Sequence, residues 1–385
     1  MLFPRLFYFV FFGAMASLGP YLASYYQENG LSGGQIGFLT ALPALMTLVC
    51  APVWTGLADV TRRHKLILLT ALTGLLGSIV AILWAPSFPS LVAAVSSYAL
   101  FIAPITSMVD NAVLQMLGPN KNTFGRQRVL GSLGPGVVGP LVSTWIDRIG
   151  LRAIFYSAIV FLTLALGVAS QFSFEQEQDG DGDSEPVSPG AFWSDLLKLL
   201  VNRDLLLLLF VIFVGMMGRS AGFTYLFVHM GNLGASNTLM GLSLTVLTIG
   251  ELPFLLYSNR FLKRWGIRNT LIVALVASGA MLLTFAWMRA PWIGVAVHLL
   301  HGISYSGMWL AGVAFADKVA PSGLKTTAQG VFNAIAVGLA PACGAYLGGI
   351  VFDKLGAEVF FQGLGFAALA ALGVFWWATA RSNSM

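Results

Sequence analysis

The chain has 385 residues, 57% of them hydrophobic and only 10% charged, with a net charge of +5. A soluble domain carries about 25% charged residues, and apolar runs near the roughly 20 residues needed to cross a bilayer recur along the whole length. These figures exclude a soluble protein and indicate a polytopic all-α membrane protein embedded in a lipid bilayer. The basic residues are spread among short loops and build no nucleic-acid surface. Cys50 and Cys343 lie inside apolar runs as free thiols, so neither a disulfide framework nor a metal site follows.

The opening run, "MLFPRLFYFVFFGAMAS", mimics a signal peptide with Arg5, an apolar stretch and Ala14-Met15-Ala16. It continues without a break to Tyr26, too long for a signal-peptide core, and is predicted to remain as the first helix. Hydropathy then predicts twelve membrane-spanning helices over 6–26, 35–57, 66–85, 89–117, 127–146, 152–172, 204–228, 238–258, 268–288, 292–316, 328–350 and 358–379. With the N-terminus inside, inner loops and tails hold sixteen of the 21 basic residues, outer loops hold four, and Arg219 belongs to neither set. That bias predicts both termini in the cytoplasm.

The segment 173–203 is acidic and bears Gly, Ser and Pro, which marks a cytoplasmic linker between an N-terminal bundle (1–172) and a C-terminal bundle (204–385). Its "DGDGD" (179–183) hints at a calcium loop, but Ser184 stands where the loop glycine belongs and Gly190 where the closing Glu belongs. The two bundles repeat each other. "DRIGLRAIFY" (147–156) recurs as "DKLGAEVFFQ" (353–362), an offset of 206 that also carries Gly167-Val168 onto Gly373-Val374. "RRHKLILL" (62–69) is echoed by "KRWGIRNTLI" (263–272). Two parallel six-helix repeats around a midplane cavity are the plan of one class of secondary transporter.

Ionisable residues inside spans are expensive and mark functional sites. Arg126 and Arg128, in "FGRQRVLGSLGP" (124–135), are two apart and so about 200° apart around a helix. One can face the headgroups while the other turns into the bundle. Asp110, about 10 Å deep on the preceding antiparallel helix, is within reach of Arg128, and pairing offsets the desolvation of both; the alternative is a snorkelling arginine and a structural aspartate. Glu251 has no basic neighbour one turn away on its own helix and is a candidate proton carrier, or else a neutral acid bonded to backbone beside Pro253. His298 and His301 share a helical face, with His301 nearer the midplane. Arg219, midway through its helix between Gly218 and Gly222, either binds substrate or forms an ion pair with Glu251. There is no His-Glu-x-x-His, no phosphate-binding glycine loop and no nucleotide-binding domain, so neither an enzyme nor ATP drive is indicated.

Over essentially its full length the sequence resembles the major facilitator superfamily. "TGLADVTRRHKLIL" (55–68) is similar to that superfamily's inner-loop signature through Asp59, Arg62 and Arg63, although Thr55 replaces the first Gly and the Gly before the basic pair is missing. "FGRQRVLGSLG" resembles the fifth-helix entry of the proton-coupled lactose, 3-phenylpropionate and nucleoside permease group. "HGISYSGMWLAGVAFADKVAP" (301–321) and "GGIVFDKLG" (348–356) look most like the phenylpropionate branch. The resemblance implies substrate binding by Asp110 and Arg128, a role in binding or proton transfer for His301, and coupling through Glu251 in "IGELP". The group's helix 9 arginine, helix 10 glutamate and helix 5 tryptophan fall at Met281, Ser304 and Pro135, so galactoside transport is not implied.

The expectation is an alternating-access transporter in the cell (inner) membrane, a functional monomer without cofactor, that symports protons with a small organic solute. Arg219 and the phenylpropionate resemblance favour an aromatic carboxylate; a sugar or nucleoside, drug efflux by antiport, and a non-transporting receptor are the alternatives. Arg128→Lys keeps the charge but loses the planar fork that grips an oxyanion or carboxylate bidentately. It should markedly weaken substrate affinity in a binding titration, whereas Arg126→Lys should be nearly silent; equal effects would refute the opposite-faces argument.

Overall fold

A computed structural model describes residues 2–118, 124–172, 201–320 and 324–380, without the side chains of residues 125–126, 258–259 and 325–326. Among the described residues the regular structure is helical, with no strand. We number the helices α1 (Leu2–Glu28), α2 (Gly33–Thr61), α3 (His64–Leu83), α4 (Phe88–Leu117), α5 (Phe124–Ile149) and α6 (Ala153–Ala169), then α7 (Arg203–Asn232), α8 (Asn237–Tyr257), α9 (Arg260–Trp287), α10 (Pro291–Val319) and α11 (Thr327–Ala380). Ten of these are long and apolar enough to cross a membrane; α6, at 17 residues, is shorter. The predicted linker lies, up to residue 200, outside the described residues.

Local chemistry sets the helix ends. Ser32 and Gln35 close a capping box at the start of α2, and Ser87 with Ser90 does the same for α4, where Pro89 adds a preset φ. Asn202 and Ser236 accept the first free N–H groups of α7 and α8. Pro104 interrupts α4, so that Asp110 sits on its second limb. The repeat detected in the sequence reappears as backbone geometry: Gly150 (φ 79°) and Gly356 (φ 82°), 206 residues apart, both take the left-handed conformation that glycine alone adopts freely. Gly150 ends α5, and its counterpart Gly356 divides α11 into two arms.

Packing joins the two parts of the chain. One apolar core runs through α1–α6 and continues into α7–α11 around Tyr225, Leu282 and Phe361; a second is built wholly from residues between Leu205 and Phe375. Small residues bring backbones together across the bundle. Gly33 and Gly37 on α2 lie against Gly349 and Ala345 on α11, and Gly139 on α5 meets Gly241 and Leu244 on α8. Pro140 cannot donate to the carbonyl of Gly136 four residues back. That carbonyl instead accepts from the Thr245 hydroxyl of α8 at 2.6 Å, so a helix break on one side becomes a hydrogen bond between the two.

Asp147, near the end of α5, clasps the first turn of α8. Its carboxylate accepts from Asn237 Nδ2 (2.8 Å), Thr238 Oγ1 (2.6 Å) and the Thr238 N–H (3.3 Å). A carboxylate at a helix N-terminus is also favoured by the helix dipole. Its repeat partner, Asp353 on α11, lies against Gly33 in the first turn of α2, so the two contacts are related by the internal symmetry. If these helix ends separate during the working cycle, an Asp147→Cys/Thr238→Cys pair joined by a short thiol cross-linker should stop solute flux, and reductant should restore it. Undiminished flux in the cross-linked protein would show that the two parts do not part here.

Candidate functional site

Four of the charged residues singled out in the sequence, Asp110, Arg128, Arg219 and Glu251, interact in part: Arg128 pairs with Asp110, and both arginines act on Glu251. Arg128 Nη1 lies 2.9 Å from Asp110 Oδ2, joining α5 to α4. The other carboxylate oxygen accepts from the hydroxyl of Tyr8 on α1 at 2.6 Å. The Tyr8 ring is fully buried, while the Asp110 side chain is 21% exposed and that of Arg128 47%. The pair is therefore fixed at the aspartate and open at the guanidinium, which leaves donors on Arg128 to spare. Close by, the buried Gln127 accepts from Arg5 Nε at 2.6 Å, ordering the entry of α5 against α1. The side chain of Arg126 lies outside the described residues.

Glu251 of α8 is half-buried, and the positive charges of both Arg219 and Arg128 act on it. Its backbone is pressed into α10: a Cβ at Gly302 would collide with the Gly250 carbonyl and come within 2.8 Å of Glu251 Cα. At that contact α10 departs from α-geometry, with a 3₁₀ turn over His298–Leu300 and a π-turn over Gly302–Ser306. Wide turns of this kind recur at functional sites. His301 sits between the two, buried, with its ring stacked on Tyr305 (centroids 5.6 Å, 30°) and edge-on to His298 (6.4 Å, 88°).

Arg219 does not pair with Glu251. Its guanidinium carbon lies 4.1 Å from the centroid of Tyr305, and its Nε is buried without a hydrogen-bond partner. The flanking Gly218 and Gly222 admit Leu282 of α9, so they serve helix packing. Asp59, Arg62 and Arg63 are exposed at the α2–α3 turn, away from this cluster. Arg62 ends α2 in the left-handed conformation, its N–H bonded to the Asp59 carbonyl at 3.4 Å, and the Asp59 carboxylate approaches His64 at 4.0 Å. A cavity of about 250 Å³ at the end of the bundle near Gly33 and Gly356 is lined by Gln27, Tyr225, Asn232 and Asp353, and the charged midplane residues do not border it.

Tyr8 and Tyr305 were not singled out by sequence reasoning. Tyr8 is one of many aromatics in "FYFVFF", and no pattern in α1 alone sets it apart. Tyr305 carried a weak signal: it stands four residues after His301, on the same face.

A bundle of apolar helices with a polar cluster held at its middle is the build of a membrane transporter. Residues 4–363 match the MFS_1 like family, and the chain belongs to that family, within the major facilitator superfamily. It is 28% identical to a maltose permease of Geobacillus stearothermophilus over 370 residues, covering 92% of this chain and 89% of that protein. It is 26% identical to a putative nucleoside transporter of Escherichia coli, covering 86% and 79%. A crystal structure of the nucleoside transporter NupG superposes with a TM-score of 0.85 over 99% of both chains at 15% identity, which establishes the shared fold. The matched relatives and neighbours are transporters, and the chain is a membrane transporter, not an enzyme.

Tyr8→Phe keeps the buried ring and removes only the donor to Asp110. A hydrogen bond to a charged group contributes roughly 1.5–3 kcal/mol, so the variant should melt measurably lower in detergent and bind substrate more weakly. An unchanged melting temperature and affinity would show that Tyr8 does not hold the pair.

Proposed function

We propose that this protein is a proton-coupled symporter of a small organic acid, preferably an aromatic carboxylate, working by alternating access. The observation that carries the reading is Arg219: a guanidinium in the middle of a spanning helix, lying over the Tyr305 ring, with a buried donor that no described residue satisfies. Buried polar groups normally have partners, and a ligand oxyanion supplies the missing one. Charge points the same way. With Glu251 protonated and the histidines neutral, Asp110, Arg128 and Arg219 sum to one excess positive charge, which a carboxylate neutralises and a neutral solute leaves buried. In this scheme Asp110, Arg128, Arg219 and His301 bind substrate, and Glu251, aided by His301, carries the proton.

The same scheme assigns the two arms of α11 to separate spans. A continuous helix of 54 residues would be about 80 Å long, against roughly 30 Å of hydrocarbon. With both arms crossing, the chain has twelve spans in two six-helix halves, 1–172 and 204–385, joined by the 173–203 linker. The distribution of basic residues supports cytoplasmic termini and a place in the cell (inner) membrane. A functional monomer suffices, since one chain supplies both halves. The inner-loop Asp59, Arg62 and Arg63 would then act where α2 and α3 meet the cytoplasm. A second reading, a sugar or nucleoside as the solute, draws on the names of the maltose and nucleoside relatives and on Glu251, which in its ionised form balances Arg219.

Uptake into proteoliposomes, with and without a pH gradient, against a panel of acids, sugars and nucleosides distinguishes the two. Concentrative uptake of acids driven by inward protons is expected; uptake of sugars alone would overturn the acid reading. Glu251→Gln should abolish uphill uptake yet leave substrate exchange intact, because exchange needs no deprotonation. Uphill uptake at the normal rate in that variant would remove Glu251 from the coupling step.

A further inference from the structure

The carboxylate reading requires Arg219 to stand ready for a ligand although Glu251, an acid that would otherwise take it, is within electrostatic reach. Two contacts hold it in place. Leu282 packs against Gly218 and Gly222, closing the side of α7 around the root of the arginine. At the other end the guanidinium lies over the Tyr305 ring, 4.1 Å from its centroid. Such cation–ring attraction is strongest where water is excluded. A ring occupies only the flat face of a guanidinium and consumes none of its in-plane donors. Its Nε is buried without a hydrogen-bond partner among the described residues, and a group that accepts in the guanidinium plane would satisfy it. A carboxylate does this bidentately.

The ring that holds Arg219 belongs to a longer wall. Tyr305 lies between His301 and Trp309 (centroids 5.6 and 6.3 Å), and Trp309 meets Phe332 edge-on at 5.6 Å. His301, Tyr305 and Trp309 follow at spacings of four and so share one face of α10, through the π-turn where Gly302 touches Glu251. Tyr305 and Trp309 are both only partly buried, so part of this face is left uncovered.

We infer that Tyr305 is a positioning residue: its ring holds the Arg219 guanidinium face-on, apart from Glu251, so that the free donor edge meets the carboxylate of a ligand whose aryl ring lies along Trp309. The inference rests on the carboxylate reading above and gives it a shape: a flat hydrophobic body with one anionic end.

The test measures binding of 3-phenylpropionate and of its neutral amide, 3-phenylpropanamide, to the purified full-length protein. The native transporter should prefer the acid, and Arg219→Gln should erase that preference. Tyr305→Phe, which keeps the ring, should bind the acid within about twofold of native. Tyr305→Leu, which removes the ring, should lose about tenfold in acid affinity with little change for the amide. Tyr305→Met serves the same purpose should the leucine variant not fold. Equal weakening of acid and amide by Tyr305→Leu would make the ring a structural support and overturn the inference. Full acid preference in Tyr305→Leu alongside its loss in Arg219→Gln would overturn it too, while leaving the carboxylate reading standing. A native protein that does not distinguish acid from amide would remove both.

Discussion

An ionisable side chain in a hydrocarbon interior must find its partner inside the bundle, because neither lipid nor water is there to supply one. The middle of this protein is organised around that requirement. Asp110 is held by Arg128 and Tyr8, and three helices are thereby tied at one level. Arg219 and Glu251 meet the requirement differently: they feel each other's charge without pairing, and the arginine lies against an aromatic face. The first arrangement is satisfied at the aspartate and leaves the Arg128 guanidinium partly exposed. The second leaves a donor unmet and suits a place that a ligand or a proton completes.

The same constraint governs the backbone. A proline in a spanning helix frees a carbonyl that water cannot reach, and at Pro140 the freed Gly136 carbonyl is taken by Thr245 from the facing helix. Glycines permit that closeness. Gly139 against Gly241, Gly33 against Gly349 and Gly250 against Leu299 let helices approach until backbone meets backbone. Two of these contacts, Gly139 with Gly241 and Gly33 with Gly349, lie where the parts of the chain join.

Membership of the MFS_1 like family and the NupG-like fold place the protein among membrane transporters, but the fold by itself names no solute. The irregular stretch of α10 is central to the polar cluster. Its 3₁₀ and π-turns occur where Gly302 abuts the backbone of Gly250 and Glu251, so the segment that carries His301 and Tyr305 packs directly on the backbone that carries Glu251.

Much of this was legible in the sequence for simple reasons. Apolar runs show spans because hydrocarbon accepts little else, and the 206-residue repeat reappears as matching left-handed glycines at 150 and 356. The spacing of Arg128 after Asp110 on antiparallel neighbours is short enough for the ion pair to be foreseen, and it forms. What required the tertiary structure was every contact between elements distant in sequence. The choice for Arg219 between Glu251 and some other partner rests on how α7, α8 and α10 are rotated against one another, which no single helix encodes. Tyr8 reaches Asp110 across 102 residues, and Tyr305 reaches Arg219 across a helix distorted by the packing of Gly302. Hydrophobic patterning sets what is buried; only the close packing of the assembled bundle sets which buried groups meet.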